Sequence, residues 1–413
     1  MVLNVNKVDN YNQIRDSRYS ISDIRQFRIE HPVSRIQHRV SNIGNRALGI
    51  NRFLLKFLIL AVMLLGLPLL GVLAAGYPVA RYLEFPPQTR YVAHAPFSWL
   101  AFAVIALGIL MVVLPLAFMG FQSYKKTAPR TTRSISRPFP WWGWLGVITG
   151  LISWALAWTR FSWFSAYQPH TFSLLWFSYI IVVNALCQVR CGHCLMTDRT
   201  GFFLLLFPIS AVFWWFFEYL NRFAQNWFYA GVDFGPWAYF WYATLPFSTV
   251  LPAVLSTRQW FLSLKWIRQA YGSVKPLTFP RPYQAAVFVL SLSAAGLTGI
   301  GIWPNYFFPV LWISPLLIIT CLQALMQESH ILSQIAEGDW SGVVSAALAA
   351  MVCGGFWEMW NYCSLAKWEY SIPLVQRFQI FEMPLLGYSG YLPFGLECAV
   401  IGSMLDRLLY RFS

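Results

Sequence analysis

The chain has 413 residues, of which 57% are hydrophobic, 18% aromatic and only 11% charged, with a mean hydropathy of +0.51. A soluble domain of this length does not need that much apolar material to fill its core, so the composition excludes a water-soluble globular protein and predicts a polytopic membrane protein. A formal charge of +14 would point to nucleic acid in a soluble chain. Here Arg and Lys gather in the N-terminal tail and in alternate loops, the positive-inside pattern, and topology accounts for the charge without a nucleic-acid partner.

Residues 1–52 read as a basic cytoplasmic tail. Arg18, Arg25, Arg28, Arg35, Arg39 and Arg46 recur at intervals of three, four or seven, with Ile21, Ile24, Ile36, Val40 and Ile43 forming a partial apolar face broken by Pro32. Two short amphipathic helices on an anionic leaflet would give this pattern, and so would a solvated basic arm that sets topology. No cleavable signal peptide is expected, because the first apolar run starts too late and is too long for an h-region.

Apolar runs of roughly 20 residues, enough to cross about 30 Å of hydrocarbon, fall near 53–76, 98–121, 142–160, 172–189, 201–221, 238–256, 285–303, 308–326, 341–362 and 387–408. They predict an all-α integral membrane protein with about ten transmembrane helices. The expected organisation is a two-helix N-terminal anchor (53–121), a basic cytoplasmic loop (122–141), a first four-helix unit (142–260), a basic linker (261–282) and a second four-helix unit (283–413). With the tail inside, Lys125, Lys126, Arg130, Arg133 and Arg137, then Arg258, Lys265, Arg268, Lys275 and Arg281, then Arg407 and Arg411 all fall on the cytoplasmic side. Both termini are then cytoplasmic, in a bacterial inner membrane. The charges that fit this alternation least are Glu328, Glu337 and Asp339 inside, and Lys367 and Arg377 outside.

The two units repeat one another in parallel. F-F-E-Y-L-N (Phe216 to Asn221), followed by Trp227 and Tyr229, returns as F-W-E-M-W-N (Phe356 to Asn361), followed by Trp368 and Tyr370. Upstream, the stretch from Leu175 corresponds to the stretch from Leu311; downstream, Pro246 matches Pro384 and Pro252 matches Pro393. A carboxylate at the end of a lipid-embedded helix is costly to bury, which makes Glu218 and Glu358 site candidates; an Asn three residues on, Asn221 or Asn361, shares their helix face. The second unit is richer in acid: Glu382 and Glu397 stand where the first has Thr244 and Ser256. Glu358, Glu397 and Asn361 are therefore the catalytic candidates, one carboxyl donating a proton and the other stabilising charge. Glu218, Asn221, Glu382, Trp357, Trp360, Trp368, Tyr370 and Tyr388 are the substrate-binding candidates. Indole and phenol faces stabilise a cation, although Trp and Tyr also collect at membrane interfaces for solvation alone, and Glu and Asn can simply bridge helices.

The strings F-W-E-M-W-N-Y, K-W-E-Y-S-I-P and F-E-M-P-L-L-G-Y-S-G-Y-L-P-F-G-L-E, with Y-L-E-F-P-P-Q-T-R-Y from Tyr82, resemble a group of uncharacterised bacterial polytopic membrane proteins over most of the chain. That resemblance implies no function. A second one, confined to acidic-aromatic motifs at helix ends, is to the membrane-embedded lycopene cyclases and fungal meroterpenoid cyclases. It implies acid-initiated isoprenoid cyclisation, carried over to Glu358 and Glu218 alone, because the intervals between motifs follow neither family.

Cys187, Cys191 and Cys194 have a C-x3-C-x2-C spacing that resembles the cluster loop of radical SAM enzymes, but nothing in the chain alternates strand and helix as that barrel requires, and no metal is expected. Nor is there an H-x3-H pair, an Asp-rich magnesium motif or a phosphate-cradling Gly loop, so no cofactor is expected. The expected partner is a membrane lipid or other lipophilic small molecule, with a membrane partner subunit left open. Two functions remain: a membrane-embedded enzyme acting on an isoprenoid or other lipophile, or a non-catalytic lipid-binding, transport or complex subunit.

Overall fold

The computed structural model describes residues 51–87, 89–127 and 137–410. The Arg-rich tail with its two alternative readings, and most of the basic loop near 130, lie outside the described residues. The chain separates into Met1–Leu54, of which only residues 51–54 are described, and Leu55–Ser413.

The described chain is mostly helical, and eight of its helical stretches are long and apolar enough to cross a membrane. They are α1 (Asn51–Ala74), α2 (Trp99–Thr127), α4 (Thr171–Cys191), α5 (Thr200–Ala224), the stretch Pro236–Leu262, α9 (Pro282–Ile302), α10 (Pro304–Leu325) and α11 (Ser341–Tyr362). Pro236–Leu262 is two helices, α6 (Pro236–Phe247) and α7 (Val250–Leu262), joined by a tight turn after Pro246. Two further helices, α3 (Trp141–Trp158) and α12 (Tyr391–Tyr410), stand where the remaining apolar runs were expected. A short helix, α8 (Lys265–Tyr271), follows α7.

The two N-terminal helices lie against different partners. α1 packs on α9 through glycines: a Cβ at Gly71 would meet the Thr298 carbonyl oxygen at 2.0 Å, and one at Gly301 would meet the Pro68 carbonyl oxygen at 2.2 Å. Small residues let backbones approach this closely where lipid gives no hydrophobic drive to associate. Gly301→Ala forces backbone to move rather than a side chain, and should lower stability by about 1–3 kcal/mol, read as a fall in melting temperature in detergent. An unchanged melting temperature would rule out this close contact. α2 rests on α8, where Tyr271 donates to the Leu116 carbonyl (2.6 Å) and Ser123 to the Trp266 carbonyl (3.0 Å). Only Gly120 of α2 is buried, so nearly all of its apolar surface faces outward.

Charges at the helix ends are met locally. At one end Lys56 pairs with Glu328, and Arg199 with Asp406. At the other, Lys367 pairs with Glu382 (2.8 Å) and Glu369 (3.1 Å), Arg377 lies 4.5 Å over the Phe97 ring, and Arg222 donates to the Tyr82 and Glu84 carbonyls. Glu328, Lys367 and Arg377, which sit against the positive-inside alternation, are thus each neutralised or stacked.

The helical expectation gains a small addition. β1 (Trp227–Ala230) and β2 (Lys367–Tyr370) form an antiparallel ladder in which Trp227 faces Tyr370 and Tyr229 faces Trp368. A second, two-residue pair, β3 (Gln379–Ile380) and β4 (Met383–Pro384), lies in the loop before α12.

Candidate functional site

The ladder ties the two acidic motifs together. α5 ends at Gln225, whose left-handed backbone (φ 49°) turns the chain back. Asn221 fixes that turn, donating to the Trp227 carbonyl (2.8 Å) and accepting from the backbone N–H of Asn226 (2.8 Å). Asn361 does the same beyond α11: it donates to the Trp368 carbonyl (2.7 Å) and accepts the Trp368 N–H (2.8 Å). Both asparagines are fully buried, and both bind strand backbone rather than the neighbouring carboxyl. In an extended strand residues i and i+2 share a face, so Trp227 and Tyr229 point together toward Glu218, and Trp368 and Tyr370 toward Glu358.

Each glutamate is fully buried and bonded through one oxygen. Glu218 Oε1 accepts from Tyr229 (2.6 Å), Trp214 Nε1 (3.0 Å) and Trp227 Nε1 (3.2 Å). Glu358 Oε1 accepts from Tyr370 (2.7 Å) and Tyr391 (2.7 Å), and Trp368 Nε1 donates to the Tyr370 hydroxyl (2.8 Å). In both, Oε2 has no protein partner. With Oε1 taken by donors, a proton on either carboxyl belongs on Oε2. Burial first, and then the neighbouring carboxyl, push the Tyr229 and Tyr370 phenols well above their ordinary range, so both stay neutral donors.

The two sites are wired alike but supplied differently. Trp214, one turn before Glu218, gives it an indole N–H; at the matching place before Glu358 stands Gly354. A Cβ there would meet the Tyr391 ring at 2.4 Å. Tyr391, in the place that Val250 holds in the first unit, fills this space, and its hydroxyl replaces the missing indole. Tyr391 is absent from the expected site residues. The signal was present in the sequence as a paired departure from the repeat, Trp to Gly and Val to Tyr, at positions that only the fold brings together.

Between the sites lies a cavity of about 440 Å³ lined by Trp214, Trp227, Tyr229, Trp312, Trp357, Trp368, Tyr370 and Tyr391 among others. Its wall is largely aromatic, with Tyr229, Tyr370 and Tyr391 among the phenols in it. Glu218 and Glu358 do not line it; they stand directly behind the tyrosines that do. Of the expected binding residues, Trp357, Trp368 and Tyr370 reach the cavity. Trp360 turns to the other side, into an apolar groove with Tyr179 and Trp154. Tyr388 donates to the Ile380 carbonyl (2.9 Å), and Glu382 is held by Lys367, which is at the cavity edge. Glu397 is 1% exposed, lies away from the cavity, and accepts the Leu316 N–H (3.3 Å). It shares no partner with Glu358.

Cys187 bonds the Ser256 carbonyl and Cys194 the Thr197 hydroxyl. Among the described residues no group of three His, Cys, Asp or Glu side chains could hold a metal ion. Comparison with protein families, with curated proteins and with solved structures finds no match to the chain.

Proposed function

We propose that the protein takes an isoprenoid or other lipophilic molecule into the aromatic cavity and acts on it by acid catalysis, with Glu358 as the proton source and Tyr370 and Tyr391 as the hydroxyls that present it. The observation that carries this reading is that two cavity-lining phenols share one buried carboxyl oxygen. In the resting pattern both hydroxyls point at Glu358. Turning one toward the cavity lets it give its proton to a substrate double bond, while a turn of the carboxyl brings the Oε2 proton round to the phenol oxygen to replace it. The carbon–hydrogen bond forms from the π pair, and the cation left on the adjacent carbon lies against indole faces such as Trp357 and Trp312. Loss of a neighbouring proton to the phenol oxygen, with the phenol's own proton passing back to the carboxylate, ends the step and restores Glu358.

The same reading takes the chain as a ten-span protein of the bacterial inner membrane with both termini cytoplasmic. Its last eight spans form two parallel four-helix units related by an axis along the membrane normal. Three features support this. The ladder's register pairs the same two residues of each motif reciprocally. The asparagine staples are the same in both copies. Trp176 packs on Trp357 (4.8 Å) as its counterpart Trp312 packs on Phe217 (5.4 Å). The acidic sites then face the extracytoplasmic side. A membrane-impermeant thiol reagent on intact cells should label half-exposed Cys363 and spare half-exposed Cys191, each as the single remaining cysteine. Labelling of Cys191 alone would reverse the topology.

A non-catalytic lipid-binding or transport subunit is the second reading, favoured by the placement of both carboxyls behind the cavity wall. Mass spectrometry of lipophiles retained in mild detergent decides between them. A substrate and product pair, with product lost in Glu358→Gln, supports catalysis; one lipid that is unchanged in that variant supports a carrier. Protein with no retained lipophile contradicts both.

A further inference from the structure

Glu397 is buried apart from the cavity. Its Oε1 accepts from Leu316 N–H, next to Pro315 inside α10; its Oε2 has no protein partner. On α10, Thr320 and Gln323 lie four and seven residues beyond Leu316, on the same face. They are 6% and 0% exposed, and Thr320 Oγ1, Gln323 Oε1 and Gln323 Nε2 are all without a partner. Thr320 is unusual in this chain: Ser314, Thr298 and Thr257 each bond their own helix four residues back, whereas the Thr320 hydroxyl is turned off its helix.

The first unit shows what these positions do when they are satisfied. The counterparts of Thr320, Gln323 and Glu397 are Asn184, Cys187 and Ser256. There Asn184 donates to Ser256 Oγ (2.9 Å) and accepts the Met196 N–H (3.1 Å), while Cys187 bonds the Ser256 carbonyl (3.7 Å). The first set closes on itself. The second has the same positions in the repeat but a longer acid and an amide, and leaves four polar atoms open.

We propose that Glu397, Thr320 and Gln323 form a hydrated proton-binding site inside the second unit. Water is the ligand that fits all four atoms, because it accepts from Gln323 Nε2 and donates to Gln323 Oε1, while Thr320 and a protonated Glu397 can do either. A metal cation would suit the three oxygens and oppose the amide N–H. No cationic side chain is bonded to Glu397, so a proton is what neutralises it. The titratable or charged groups on the helices around it are Tyr306 and Cys321 of α10, Glu218, Tyr219 and Arg222 of α5, Arg258 of α7, and Cys353, Glu358 and Tyr362 of α11. The described side chains of its own helix add Tyr391, Cys398, Asp406 and Arg407. None of these is hydrogen-bonded to it. The site stands whether or not the cavity is catalytic.

Infrared difference spectra of the whole protein in lipid nanodiscs test this. A protonated-carboxyl stretch should vanish in Glu397→Gln and should shift promptly on transfer to D2O. Thr320→Val and Gln323→Leu should keep the band but slow its exchange about tenfold, as expected when one hydrogen bond of the water cluster is lost. Equal exchange in wild type and both variants overturns the proposal, as does the absence of any such band in the wild type. Stabilisation by sodium but not potassium, lost in Glu397→Gln, would put a metal cation there and overturns it equally. If Glu397→Gln does not fold, the exchange rates of the other two variants decide alone.

Discussion

Replacing Glu358 with Gln should give a folded protein that still retains its lipophilic ligand but turns it over about 10²–10⁴-fold more slowly, the contribution of a positioned general acid. Gln keeps an Oε1 acceptor for Tyr370 and Tyr391, and its amide nitrogen takes the place of Oε2, which has no protein partner to offend. Only the proton is lost. Glu358→Ala differs in kind: it leaves two buried phenol hydroxyls unpaired, and should cost about 1–3 kcal/mol for each group so stranded. Glu218→Gln keeps an acceptor for Tyr229, Trp214 and Trp227 and should leave turnover nearly unchanged, because Glu358 and Tyr391 remain intact. Turnover and melting temperature across the three variants separate an acid from a helix bridge. Full activity in Glu358→Gln would eliminate the acid reading.

The features legible in the sequence are those that depend on hydrophobic runs and on a motif repeated whole. Most helices lie within a few residues of the apolar runs, since hydrocarbon thickness sets their length, although α2 runs on to Thr127 and the run 238–256 is two helices ending at Leu262; E-x-x-N marks both helix ends where a carboxyl is buried. Beyond that, local pattern gives out. W-F-Y-A and K-W-E-Y are too short to read as strands, and each becomes one only by pairing with the other, well over a hundred residues away. The asparagines looked like carboxyl-positioning groups because they share a helix face with the glutamates. Their amides are instead taken by the backbone that turns back beyond each helix, through the left-handed Gln225 in the first unit, and helical spacing does not reveal such a turn. Glu397 reads from the sequence as a partner for Glu358 because, inside an apolar span, it would sit at comparable membrane depth. Tyr391, nearly two turns closer to the start of the same helix, reaches Glu358 instead.

The exchange of Trp214 and Val250 for Gly354 and Tyr391 makes the sharpest test of how the two sites correspond. Gly354→Trp alone should destabilise the protein by more than about 3 kcal/mol, the upper end of overpacking effects, because its Cβ already falls 2.4 Å from the Tyr391 ring. Tyr391→Val alone should be destabilising too, since it opens a gap against Trp357, on which Tyr391 stacks at 5.9 Å, and removes one of the two donors to Glu358. Made together, the two changes install the first site's arrangement in the second: an indole N–H one turn before the acid and a small aliphatic residue opposite. The double variant should then be more stable than the sum of the single effects predicts, with a coupling of about 1–3 kcal/mol in a double-mutant cycle. Its turnover should stay low, because the substituted donor is an indole, which cannot pass on the carboxyl proton as a phenol can. Additive single effects would mean that the two sites are not equivalent in space, whatever their sequences share. Recovered stability together with full turnover would move the proton path from Tyr391 to Tyr370 alone.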